Sequence, residues 1–170
     1  MRFKKLLICM FVAVLAFNFT NAFALAAEDT TVDSQEDEKQ EYSEADLRLL
    51  SALIRCEAQS EIYRGKIAVG IVVMNRVKSG SYPDTVKGVI YQKSQFSPAK
   101  TGSLETALED YDNGKFTSEE EKDCIKAAKA ALSGVTSITI DDEKVDFSKF
   151  LYFSGRLSGY KLKLGNHQFK

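Results

Sequence analysis

Glu57 stands where a helix should bury an apolar side chain. It follows Leu50 by seven residues, Leu53 by four and Ile54 by three, so helical geometry puts its carboxyl on the stripe that faces the core. Burial disfavours the ionised form and raises the pKa, which prepares an acid able to donate a proton near neutral pH. The competing reading is a structural Glu neutralised by Arg55, Arg64 or Arg76. Other chemistry-bearing groups are sparse: one imidazole, His167, and the thiols Cys9, Cys56 and Cys124. A zinc-dependent amidase needs three protein ligands, a demand this supply meets poorly, and no metal or cofactor is expected. A cysteine peptidase would pair Cys56 or Cys124 with His167. Both thiols, however, fall inside expected helices, away from a helix N-terminus where thiolate is favoured.

The elements that must position these groups can be read from spacing. Ser43 caps a helix over residues 44 to 59 carrying Leu47, Leu50, Leu53 and Ile54. The apolar run Ile67 to Met74 implies a buried helix over Lys66–Lys78. Ser79 to Pro83 reads as a turn, Val86 to Tyr91 as a short apolar patch, and Ser97-Pro98 to Gly102 as a loop. A third helix is expected from Ser118 to Leu132, with Glu119, Glu120 and Glu121 at its positive end and Gly134 after it. Thr136 to Ile140 then alternates and Phe150 to Phe153 is aromatic, so the C-terminal third reads as a small antiparallel sheet. The expected fold class is α+β.

Composition limits the function classes. The chain has 170 residues, 23 basic and 24 acidic side chains and a formal charge of -1, so no global basic field points to nucleic acid. Arg2, Lys4 and Lys5 precede an apolar run, Leu6 to Phe17, and small residues at Ala22, Ala24 and Ala26, the pattern of a secretory signal peptide over residues 1–26. An uncleaved anchor is the alternative, with Asn18, Thr20 and Asn21 against it. Residues 27–42, rich in Asp, Glu, Ser, Thr and Gln, should form an acidic disordered linker. Residues 43–170 then make one domain, expected to act outside the cytoplasm as a monomer whose membrane contact is the export signal. Cys56 and Cys124 in that compartment suit a disulfide worth about 4 kcal/mol or two buried thiols equally well.

Residues 49–96, LLSALIRCEAQSEIYRGKIAVGIVVMNRVKSGSYPDTVKGVIYQKSQF, carry a recognisable string. Glu57-Ala58 is followed by Gly65, Ala68-Val69, Asn75-Arg76-Val77 and Tyr82-Pro83, and the pattern returns at Leu151-Tyr152-Phe153 and Gly165 to Phe169. This resembles the catalytic domain of the spore cortex-lytic enzymes and related bacterial cell-wall hydrolases. It departs from them at Gln59-Ser60, where Arg-Gly is usual, and at Ile62, where Pro is usual.

The resemblance implies a lysozyme-like domain that cuts peptidoglycan glycan strands as a lytic transglycosylase, in spore cortex during germination or in the cell wall. The family's catalytic acid falls on Glu57. A hydrolysing glycosidase needs two carboxyls about 5 to 9.5 Å apart. A lytic transglycosylase needs one, because a sugar hydroxyl replaces water as nucleophile. Substrate-binding candidates are Gln95, Phe96 and Ser97 in one loop, Tyr152 on the sheet side, and Asn75, which could contact substrate or cap the chain. Glu61 is expected on the same helical face as Glu57, either reaching the substrate or bracing the first helix, with spacing favouring the brace. The alternatives are an N-acetylmuramoyl-L-alanine amidase or a wall-binding module without catalysis.

Overall fold

The Ser43 side chain accepts a hydrogen bond from the Asp46 amide at 3.0 Å, satisfying an otherwise orphaned donor, and from it runs α1 (Glu44–Ala58). This computed structural model describes residues 42–170. The signal-peptide and linker assignments fall, but for Tyr42, outside the described residues. Helix α2 (Tyr63–Lys78) begins three residues earlier than the apolar run alone suggests. The expected apolar patch is a short helix, α3 (Val86–Ile90), capped by Thr85. Helix α4 (Pro98–Thr101) stands where the sequence suggested loop, and α5 (Ser103–Asp112) follows it in a stretch whose pattern marked no element. Helix α6 (Glu119–Leu132) has the full reciprocal capping box between Ser118 and Glu121.

Helices α1, α2 and α6 share the main core, built on Leu50, Leu53, Ile54, Val69 and Val73. Each such side chain contributes about 1.5 to 3 kcal/mol by leaving water. Helices α2 and α6 approach so closely that a Cβ on Gly70 would come 2.8 Å from Cβ of Ala131. The alanines of α6, Ala127, Ala128 and Ala131, are the surface that permits this approach.

The C-terminal third forms two sheets rather than the expected one. Strands β1 (Ser137–Ile140) and β2 (Glu143–Asp146) make a hairpin in which Ile140 faces Glu143. Asp141 and Asp142 both adopt positive φ in its two-residue turn, as a hairpin following strand twist requires. Strands β3 (Phe153–Ser154), β4 (Leu162–Leu164) and β5 (His167–Phe169) form the second sheet in the order β3-β5-β4, antiparallel throughout. Of the aromatic run Phe150 to Phe153, the last residue alone enters a strand. Phe147 and Phe169 are fully buried with Ile71 and Val72 in a second core that joins this sheet to the back of α2.

Asn75 welds the two halves. It lies within α2, buried, and its Nδ2 donates to the carbonyls of Phe147 and Phe150, each at 2.8 Å. Its polar capacity is thus directed into the structure.

Candidate active site

Helix α1 delivers Glu57 at its last turn, half-buried rather than sunk in the core. The carboxyl opens on a cleft of about 230 Å³ whose other walls are Arg76 from α2, Ser94 to Ser97 from the segment before α4, Lys100 from α4 and Phe153 from β3. Burial raises the Glu57 pKa above the ordinary carboxylate range, and this is the one cause acting on it. The three arginines that could have neutralised it do not. Arg55 is committed to Asp110 at 3.2 Å and Glu121 at 3.0 Å. Arg76 stacks on aromatic rings, and no ion pair joins Arg64 to Glu57 among the described residues. Glu57 is therefore an acid held in a cleft without a counter-ion, the state that favours the protonated form.

Gln95, Phe96 and Ser97, the loop candidates, line this cleft. Phe96 is buried and serves as wall, its ring 6.2 Å from that of Phe153. Tyr152 is exposed and is not among the lining residues; its ring stands 5.7 Å from the Arg76 guanidinium. Asn75 is not among the lining residues; its amide is used on the Phe147 and Phe150 carbonyls. Arg76, Ser94, Lys100 and Phe153 line the cleft without having been singled out as site residues. For Arg76 the signal available in sequence was a cation inside an apolar helix.

Glu61 does not share a helical face with Glu57, because α1 ends at Ala58 and the chain turns through Gln59 and Ser60. Its buried carboxylate instead receives the Asn166 amide at 3.1 Å and the Asn166 Nδ2 at 2.8 Å. That contact pins the β4–β5 turn to the loop between α1 and α2. Since β5 pairs with β3, it also fixes the strand that carries Phe153.

The thiols are free. Cys56 Sγ donates to the Ser103 carbonyl and Cys124 Sγ to that of Glu120. Burial pushes Cys124 up to about 11 and also raises Cys56, opposite to the shift a nucleophilic cysteine needs. His167 packs its ring edge-on 5.1 Å from Phe153, with burial lowering its pKa. Among the described residues no three His, Cys, Asp or Glu side chains cluster as a metal centre would require.

Residues 60–153 match the family described as Cell Wall Hydrolase, more than half the chain. The chain belongs to the cell wall hydrolase family. The matched span contains Arg76, Ser94 to Ser97, Lys100 and Phe153, and begins three residues after Glu57. Among relatives of this family member, the spore cortex-lytic enzyme of Oceanobacillus iheyensis is 35% identical over 79 residues, 46% of this chain and 29% of that protein. The spore cortex-lytic enzyme of Bacillus cereus is 38% identical over 63 residues, 37% of this chain and 24% of that protein. The chain thus spans less than a third of the length of these relatives. In structure it is similar to the catalytic domain of the germination-specific lytic transglycosylase SleB from Bacillus anthracis, with TM-score 0.55 and 26% identity over 76% of this chain and 96% of that one. The catalytic domain of the Bacillus cereus SleB protein gives TM-score 0.54 at 25% identity, over 75% and 91%. The fold is the lysozyme-like α+β arrangement of those domains.

Proposed function

We propose that this cell wall hydrolase cleaves the glycan strands of peptidoglycan as a lytic transglycosylase, with Glu57 as its single acid and base. The observation that carries this reading is that Glu57 is the one carboxyl among the cleft-lining residues, and is unpaired. In the first step the protonated Glu57 gives its proton to the glycosidic oxygen, the C1–O bond of muramic acid breaks, and an oxocarbenium-like centre forms. The Glu57 carboxylate then removes the proton from the C6 hydroxyl, whose oxygen bonds to C1 and closes a 1,6-anhydro ring. Glu57 ends protonated, and no water is consumed. Gln95 and Ser97 offer an amide and a hydroxyl to the sugar, Phe153 an aromatic wall.

The substrate lies outside the cytoplasm, in the spore cortex or the vegetative wall, and the expected export signal would bring the enzyme there. The test is to incubate the purified chain with both materials and analyse the fragments by mass spectrometry. Anhydro-muropeptides are expected. Reducing ends without the anhydro ring would mean hydrolysis, free stem peptides an amidase, and intact strands that retain the protein a wall-binding module. Faster cleavage of cortex than of vegetative wall assigns the cortex.

A further inference from the structure

Arg76 is a buried cation whose charge no carboxylate answers. It is 4% exposed. Its Nε donates to the Leu151 carbonyl at 2.8 Å, while Nη1 is buried with no acceptor. Among the described residues no Asp or Glu forms an ion pair with it. Around it stand the rings of Tyr82 at 5.2 Å, Phe96 at 5.2 Å and Tyr152 at 5.7 Å. Ring faces attract a guanidinium, but they do not accept its N–H hydrogens in the plane where a carboxylate would.

An uncompensated buried charge is costly, and a guanidinium cannot shed its proton to escape that cost. Burial does lower its pKa, the direction expected of a cation lacking a counter-ion. Arg76 nevertheless lines the same cleft as Glu57, with Lys100 as a second cation on the wall. With Glu57 held towards its neutral form, the cleft carries net positive charge. The nitrogens left unused at the outer end of the guanidinium form a fork that matches the two oxygens of a carboxylate.

We infer that Arg76, assisted by Lys100, is a carboxylate subsite beside the Glu57 acid, taking an anionic group on the lactyl arm of a muramic residue. That group is either the lactyl carboxylate itself or a carboxylate of the peptide attached to it. The inference rests on peptidoglycan being the substrate. A muramic lactam, whose carboxyl is locked in a neutral ring, would be disfavoured at this position.

The test is equilibrium binding to the full-length Glu57→Gln protein, which leaves the strand uncut. The probes are a denuded glycan oligomer with free lactyl carboxylates, the same oligomer methyl-esterified, and a peptide-bearing oligomer of equal length. One of the two anionic probes should bind at least about tenfold more tightly than the ester, the order expected of a charge-assisted hydrogen bond. Preference for the denuded strand assigns the lactyl carboxylate, and preference for the peptide-bearing strand assigns the peptide. The preference should shrink with added salt and fall several-fold in Lys100→Gln, an exposed change that leaves the core intact. It should also fall in Arg76→Lys, which keeps the charge and loses the fork. Equal affinity for all three probes, tighter binding of the ester, or binding of none overturns the subsite. Anhydro products from the wild-type protein together with equal affinities would leave the proposed reaction standing and remove the subsite alone.

Discussion

Replacing Gly165 with Ala should loosen the C-terminal sheet by an amount that can be worked out from its surroundings. Gly165 has φ +58 in the β4–β5 turn, and a Cβ there would collide with Oε2 of Glu61 and stand 3.1 Å from its Cδ. The left-handed conformation costs an Ala about 1 to 2 kcal/mol. Pushing the Glu61 carboxylate aside also breaks its bonds from the Asn166 amide and Nδ2, and a hydrogen bond to a charged group is worth about 1.5 to 3 kcal/mol. With both bonds lost the combined cost is about 4 to 8 kcal/mol, a fall in Tm of roughly 15 to 30 °C for a domain of this size. Thermal unfolding followed by circular dichroism measures it. In a Glu61→Ala background the same glycine change should cost only the backbone term of about 1 to 2 kcal/mol. Equal losses in both backgrounds, or a change under about 0.5 kcal/mol in the wild type, would refute the argument that Glu61 and Gly165 form one latch.

Glu57→Gln should lower turnover by at least 10² to 10⁴-fold, roughly the share that general acid catalysis supplies, measured as release of anhydro ends. The same variant should be no less stable than wild type at pH 7 to 8. A carboxyl whose pKa is raised on folding contributes stability below its unfolded value and loses it as pH rises through the folded one. For the same reason kcat/KM should fall on the alkaline side with a pKa above that of an ordinary Glu, near 4.3, and a decline fixed at the ordinary value would contradict the desolvated cleft. Activity should survive EDTA, since one carboxyl completes the proposed cycle; loss on chelation restored by added zinc would reinstate a metal mechanism.

Helices α1, α2 and α6 were legible because each has a strong local signal: a capping serine, a long apolar run, a triple Glu followed by alanines. Helix α5 escaped because only Leu104, Ala107 and Leu108 mark its buried face, too few to stand out in a charged stretch. Glu57 could be found because one carboxyl broke an apolar stripe. Its exposure to a cleft could not, since the opposite wall is Phe153, brought there by a sheet whose position depends on distant pairing. Arg76 was hidden for the same reason. In sequence it is a cation needing an acid, and the three rings that surround it come from positions 82, 96 and 152. Asn75, for which the sequence left substrate contact and a structural bond equally open, joins α2 to the chain leading into the sheet.

The separation between Glu61 and Asn166 imposes an order in time. A ribosome makes the six helices before the strands of the second sheet, so α1 and its Glu57 exist while the last strands are still unmade. The wall carrying Phe153 must wait for β5, and β5 for the turn that Glu61 grips. During synthesis the chain therefore passes through a stage with its acid present and its cleft absent. Until β5 pairs with β3, Glu57 has no Phe153 wall to face.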